Sequence, residues 1–244
     1  NKKIVVLTPG VFNSAYFEHS YLAQQMGVEL VEASDLYLSR GNNVLMKTIN
    51  GPKKIDVIYR RIDDVFIDPK VWKKNSSLGI PGIYNAWKNK KVAIVNAPGS
   101  GVADDKAVYA FVPKMIKFFL NEQPIISQVK THVCAFEKDL NYVINNIEKL
   151  VLKPVNESGG YGILIGPQSS KSELKKYKSK ILDNPRNFVA QPLIKLSTSP
   201  TLINKKIMPR HLDLRPFILS GNNSFVTQGG LTRVAMKKGS TIVN

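Results

Sequence analysis

"VLKPVNESGGYGILIG", Val151–Gly166, is the stretch whose reading decides the fold. A β-branched run ends in Lys153, breaks into a loop holding Gly159, Gly160 and Gly162, and resumes as a second apolar run. A lysine at a strand end can aim its ammonium out of the sheet into a cleft. Glycines, lacking Cβ, let backbone N–H groups approach a ligand closely. A Walker loop would put the lysine after the glycines and open a helix, and a dinucleotide fingerprint also leads into a helix. Here the lysine comes first and "GILIG" is strand-like. The stretch therefore predicts a strand–glycine loop–strand hairpin that can fold over phosphates as a lid. The alternative is a plain hairpin tip beside a surface lysine.

Upstream, "KKIVVLTPG", "SAYFEHSYLAQQMG" and "VELVEA" predict strand, helix and strand, with Ser14 as N-cap and Gly27 as the helix stop. Tyr16, Phe17, Leu22 and Met26 partly suit helical spacing. Such a unit favours a parallel sheet. "DLYLS" and "NNVLMKT" predict a hairpin across "RGNN", and "IDVIYRRID" and "KVAIVNAPG" predict further strands on either side of a helix at "GIYNAWKN". Pro113 should kink the helix of "ADDKAVYAFVPKMIKFFL" or mark a junction between two helices. "EKDLNYVINNIEKL" and "SKSELKKYKSKIL" predict helices, the second capped by Ser170 or Ser172. After the strand "NFVAQPLI" the chain reads as antiparallel β: "LDLRPFIL", "SFVTQ", "GLTRVAM" and "STIVN". The fold class expected is α/β with α+β character in the C-terminal half.

The 244 residues suit one large or two small domains. Cys134 is the one cysteine, so no internal disulfide can form, which fits a reducing, cytoplasmic setting. It lies in an apolar run and reads as a buried, inert thiol. No run reaches the length of a membrane span. The net charge of +17 invites a nucleic-acid reading, but the lysines are dispersed and no basic stretch carries regular aromatic interleaving. Neither nucleic acid nor membrane is expected as a partner, and oligomeric state is not legible.

Other stretches carry chemistry only in combination. "VAQPLI" has a Gln-Pro break that would expose backbone groups to an adenine edge, or is an ordinary edge strand. In "ADDKA", Lys106 sits near a helix start, where anions are favoured, or Asp104 and Asp105 simply cap the helix. In "RHLDLRPF", alternation puts His211, Asp213 and Arg215 on one strand face. Glu18, His19, Arg60, Arg61, Asp63 and Asp64 fall at predicted strand ends, where open α/β sheets bind ligands. They are either a site for a carboxylate-bearing substrate or a local Arg–Asp cluster. With three histidines and no matching cysteine spacing, a zinc site is not expected.

Taken in order, "LTPGVFNSAYFEHSYLAQQMGVELVE", "DVIYRRIDD", "GSGVADDKAVYAFVP", "SGGYG", "AQP", "RHLDLRPF" and "GGLTRVA" resemble the circularly permuted ATP-grasp proteins related to glutathionylspermidine synthetase. The resemblance spans nearly the whole chain and implies two lobes holding ATP. It implies an open α/β domain over 1–100 and ATP-grasp lobes over 101–244, divided into a helical part with the glycine loop (101–192) and an antiparallel β part (193–244). It implies a carboxylate–amine ligase acting through an acyl-phosphate, or a non-catalytic nucleotide- or peptide-binding module of degenerate fold. Lys106 and Lys153 would contact ATP. Ser158, Gly159, Gly160, Tyr161 and Gly162 would cover its phosphates, and Gln191 would lie at the adenine hinge. Arg215 and Arg233 would face the transferred phosphate or acyl carboxylate, with His211 and Asp213 orienting Arg215 or touching substrate. Magnesium is expected with ATP. Its Arg-x-Asp and acidic-x-Asn ligands in the family lie upstream of the stretch matched here, leaving only Asn244 as a candidate within the chain. The chain is accordingly expected to be a piece of a longer protein and inactive by itself.

Overall fold

A computed structural model describes residues 2–156 and 162–240. Ser158, Gly159, Gly160, Tyr161 and Asn244, together with the strand expected at "STIVN" beyond Ser240, lie outside the described residues. The chain divides into two units, Asn1–Asp105 and Lys106–Asn244.

The first unit runs β1 (Ile4–Leu7), α1 (Tyr16–Met26), β2 (Glu29–Val31), β3 (Leu36–Leu38), β4 (Val44–Met46), β5 (Lys53–Lys54), β6 (Val57–Arg60), α2 (Asp64–Ile67), α3 (Ile83–Lys88) and β7 (Ala93–Val95). Its main sheet has the order β2-β1-β6-β7 and is parallel throughout. β3, β4 and β5 form a separate antiparallel sheet. A buried cluster including Val5, Leu7, Ile58, Ile83 and Ile94 packs this unit.

Gly27 ends α1 as expected: at φ 64 its N–H reaches the carbonyls of Ala23 and Gln24, a left-handed cap that costs glycine little. The start of α1 differs from expectation. Ala15 holds the N-cap position without a side-chain cap, and the Asn13 side chain accepts from the Ala15 N–H at 2.9 Å instead of Ser14 acting as cap. The apolar spacing also misleads. His19 and Ala23, four residues apart, are the buried positions of α1, whereas Phe17 and Met26 are exposed.

The second unit runs α4 (Lys106–Tyr109), α5 (Val112–Leu120), β8 (His132–Val133), α6 (Glu137–Asn145), β9 (Leu150–Pro154), β10 (Leu164–Ile165), α7 (Lys171–Asp183), β11 (Phe188–Pro192), β12 (Thr198–Ile203), β13 (Lys206–Ser220) and β14 (Ser224–Val234). Pro113 stands in the first turn of α5, where its missing N–H costs nothing, so it marks a junction between helices. Ser170 caps α7 in a reciprocal box with Glu173.

β9 and β10 pair antiparallel, Leu164 opposite Leu152, so the decisive stretch is a hairpin. The sheet order is β10-β9-β11-β8. β11 is therefore an interior strand, which overturns the edge-strand alternative. Pro192 is tolerated there because it is the last residue of the strand, opposite Leu150. One sheet face buries Leu150, Leu152 and Ala190 against Val143, Tyr177 and Ile181 of the helices. The other buries Val133, Val155 and Val189, with Ala107 and Ala110 packed on them.

β12, β13 and β14 form a second antiparallel sheet. β12 has no counterpart in the sequence reading. The two strands expected at "SFVTQ" and "GLTRVAM" are the single strand β14, whose pairing shifts register between Pro216 and Ile218. Gly229, at φ 89, takes up the irregularity, and a Cβ on Gly230 would lie 2.7 Å from the Arg215 carbonyl oxygen.

Candidate functional site

Strand alternation puts Val151 and Lys153 of β9 on the same face as Val189 and Gln191 of β11. This is the face on which Ala107 and Ala110 pack. Lys153 Nζ donates to Gln191 Oε1 at 2.7 Å, and Gln191 Nε2 donates to Thr131 Oγ1 at 2.8 Å. The Lys106 backbone N–H and its Nζ both point to the Val155 carbonyl, at 3.3 and 3.4 Å. The structure thus brings together three residues far apart in sequence: Lys106, Lys153 and Gln191.

Lys153 is half-buried, and its proton affinity is lowered first by burial and then by the positive charge of Lys106. The hydrogen bond it makes to Gln191 is to a neutral oxygen. Burial and the neighbouring ammonium both disfavour the charged form of Lys153, and an anion bound beside it would offset both effects.

At the hairpin, Gly162 is the one residue of the expected lid that is described. It stands at φ 68, a backbone conformation that favours glycine, and a Cβ there would meet the Pro154 ring at 2.9 Å. Its carbonyl accepts from Tyr177 Oη at 2.5 Å. Burial pushes the Tyr177 hydroxyl up to about 12. Tyr177 thereby fastens the far end of the glycine loop to α7. The sequence reading missed it, although its signal was present: Leu174, Tyr177 and Ile181 share the apolar stripe of a helix, and a buried tyrosine hydroxyl needs a partner. His132, also missed, is buried, bonded through Nδ1 to Asp139 at 2.8 Å and stacked on Tyr142. Asp139 also accepts from the Val133 N–H at 3.1 Å, which makes this a structural corner between β8 and α6. Cys134 is buried, and that burial pushes its thiol up to about 12, so it is inert.

On β13 and β14, Asp213 lies directly opposite Arg233. Its two carboxylate oxygens accept from Arg233 Nε at 3.2 and 3.1 Å, and one also from Nη2. This fork holds the Asp213 carboxyl below the usual carboxylate range. Arg215 comes only to 3.9 Å of Asp213 and is more than half exposed. The expectation that His211 and Asp213 orient Arg215 is therefore corrected. Asp213 orients Arg233, and His211 donates from Nδ1 to the Leu196 carbonyl at 2.9 Å, tying β13 to the segment that follows β11.

In the first unit, Arg60 meets acceptors on every side. Nε donates to the Asn96 carbonyl at 2.7 Å and Nη1 to the Ile62 carbonyl at 2.7 Å. Nη2 reaches the Ala97 carbonyl at 3.3 Å, Ser100 Oγ at 3.2 Å and the Asp64 carboxylate at 2.7 Å. That is a structural bracket joining the end of β6 to the loop after β7, and it leaves Arg60 nothing for a substrate. Asp63 is the N-cap residue of α2, without a side-chain cap. Arg61, Glu18 and His19 form a separate group at the end of the sheet.

Lys106, Lys153 and Gln191 fit the phosphate and base edges of a nucleotide: cations for the first and a side-chain amide at a strand end for the second. Among the described residues, no group of three or more His, Cys, Asp or Glu side chains converges as a metal site. Among them, too, no helix is long and apolar enough to cross a membrane.

Several known proteins are similar to the chain over nearly its whole length. An uncharacterized protein of Synechocystis is 52% identical over 242 residues, covering 99% of this chain and 50% of its own length. A Mycobacterium tuberculosis protein, also uncharacterized, is 52% identical over 99% of this chain and 44% of its own length. A Frankia casuarinae protein named as a candidate glutamate–cysteine ligase is 41% identical over 99% of this chain and 28% of its own length. The chain thus spans half or less of the length of these relatives. Among solved structures, a D-alanyl-alanine synthetase from Vibrio cholerae aligns over 88% of this chain and 67% of its own, with 10% identity and a TM-score of 0.47. A likeness that distant says nothing about the site. The family described as circularly permuted ATP-grasp type 2 matches residues 1–235. The chain belongs to the circularly permuted ATP-grasp family.

Proposed function

We propose that the chain is the ATP-holding portion of a ligase that joins a carboxylate to an amine. In that reaction the carboxylate oxygen attacks the γ-phosphorus of ATP and ADP leaves. The amine then attacks the acyl carbon and phosphate leaves. Lys106 and Lys153 take the phosphates or the adenine side, and Gln191 the adenine edge. Ser158, Gly159, Gly160, Tyr161 and Gly162 cover the phosphates, and Arg215 and Arg233 face the transferred group. Magnesium accompanies ATP as it does in phosphoryl transfer generally, and its ligands are assigned to none of the described residues. Catalysis of this kind rests on positioning and charge stabilisation rather than on covalent intermediates with the protein.

The observation that carries this reading is the half-buried Lys153 ammonium, held near Lys106 and bonded to a neutral amide oxygen. Membership of the ATP-grasp family supports the nucleotide, and the ligase names of the Frankia relatives support amide-bond chemistry. The test is a thermal-shift titration with ATP, with and without magnesium, of the wild type beside Lys153→Met. A stabilisation by ATP that the variant loses is the expected result. Equal stabilisation of both proteins would remove Lys153 from the site.

A further inference from the structure

The parallel sheet of the first unit has a switch point. From β1 the chain crosses to β2 on one side, and from β6 it crosses to β7 on the other. The loops after β1 and β6 therefore diverge at the C-terminal ends of the two middle strands, the place where open α/β sheets form their ligand crevice. The side chains gathered there are Thr8, Glu18, His19 and Arg61. Thr8 and His19 are almost fully buried. Thr8 Oγ1 lies 2.9 Å from His19 Nδ1 and accepts from the Gly10 N–H at 3.2 Å. The Arg61 backbone N–H continues the ladder to the Leu7 carbonyl at 2.8 Å, which fixes the base of its side chain.

Arg61 differs from its neighbour Arg60 in how its donors are used. Arg60 has an acceptor on all three of its nitrogens. Arg61 pairs end-on, through Nη2, with Glu18, while its Nε is buried and has no partner among the described residues. A buried guanidinium N–H without an acceptor is unfavourable, and nothing in a purely structural ion pair requires it. A carboxylate placed side-on to Arg61 would accept from Nε and Nη2 together, the strong two-point geometry. Glu18 supplies only one of those bonds, and its side chain is 58% exposed, so the pair is a weak one that a better-placed carboxylate can displace.

We propose that this crevice binds the carboxylate of a small organic acid side-on to Arg61, and that Glu18 is the carboxylate it displaces. Thr8 and His19 form the buried floor. The burial of His19 and the charge of Arg61 lower its proton affinity, which keeps a second cation away from the guanidinium. The inference stands on the first unit alone and does not depend on the nucleotide reading of the second.

The experiment follows the arginine Nε–H resonances of the intact chain by NMR during titration with hippurate, a carboxylate on an aromatic body, and with its uncharged amide. Hippurate should shift the Arg61 Nε–H and the amide should not. Removing the competitor in Glu18→Gln should tighten hippurate binding about threefold, whereas Arg61→Lys, which keeps the charge but loses the fork, should weaken it about tenfold. The amide spectrum of Arg61→Lys away from the substitution should match that of the wild type, which verifies that the variant is folded and keeps the test independent of the nucleotide reading. The proposal is overturned if hippurate shows no saturable binding, if its amide binds equally well, or if Glu18→Gln leaves the affinity unchanged.

Discussion

Arg60 and Lys153 are both cations on a β-strand, both largely withdrawn from water, and they teach opposite lessons. Arg60 finds its acceptors within the chain: three carbonyls, a hydroxyl and the Asp64 carboxylate. Its charge is used up in holding β6 to the loop after β7. Among the described residues Lys153 finds one neutral oxygen, and the charge that lowers its proton affinity is another lysine. What separates the two cations is how many acceptors the described residues supply to each. Residue type and strand position do not distinguish them.

That contrast breaks if either residue behaves like the other. The largest effect expected is on stability, from Arg60→Met. Removing this nearly buried guanidinium, with its bonds to carbonyls and its ion pair to Asp64, should cost about 3 kcal/mol. Urea unfolding reads the loss, and the ATP response of the protein that remains folded should be intact. Lys153→Met should do the reverse. Loss of a charged hydrogen-bond donor to phosphate should weaken ATP about 30-fold, from a contribution of about 2 kcal/mol. Calorimetric titration reads it, and the variant should unfold at no lower urea concentration than the wild type at neutral pH.

A smaller effect sharpens the picture of the lid. Tyr177→Phe removes the bond to the Gly162 carbonyl and should cost about 1 kcal/mol. Faster amide exchange at Gly162 should accompany it. If exchange there is unchanged, the hydroxyl does not fasten the loop. The smallest effect is in pH. Because the proton affinity of Lys153 is lowered in the folded state, the unfolded chain binds the extra proton between the folded pKa and the unfolded value of about 10.4. Stability contributed at this position therefore rises with pH through that window, and the penalty is fully present below it. Relative to Lys153→Met, the wild-type melting temperature should climb as the pH is raised from neutrality. A flat difference would mean that the lysine is solvated.

Much of the fold was legible because local signals and tertiary demands agreed. Strand, helix and strand at the start of the chain, the Gly27 stop, the Ser170 cap and the β9–β10 hairpin all follow from patterns that packing did not overrule. The failures have physical causes. Tyr16, Phe17, Leu22 and Met26 partly suit helical spacing, yet α1 buries His19, whose ring is apolar enough to pack once Thr8 bonds its nitrogen. β12 was invisible because Pro200 reads as a breaker, but Pro200 lies directly opposite Pro209 on β13. The break expected between "SFVTQ" and "GLTRVAM" falls at Gly229 and is instead an irregularity within one strand.

Legibility at the candidate sites followed the same division. Lys106, Lys153 and Gln191 could be named from sequence but not brought together, since 85 residues separate the first from the last. Pattern could not separate Arg60 from Arg61, because their difference lies in carbonyls contributed by a loop more than 30 residues away. Nor could it assign Asp213 to Arg233 rather than Arg215, since that choice is made by strand register.

The most direct test of the central claim is to titrate the Lys153 ammonium itself, by NMR of its labelled side-chain carbon beside the nitrogen, with and without ATP. Lys153 should show a proton affinity below that of an ordinary lysine in the free protein and a rise toward or above the ordinary value when ATP is bound, with Lys106→Met producing part of that rise by itself. An ordinary lysine titration in the free protein, unmoved by ATP, would contradict it.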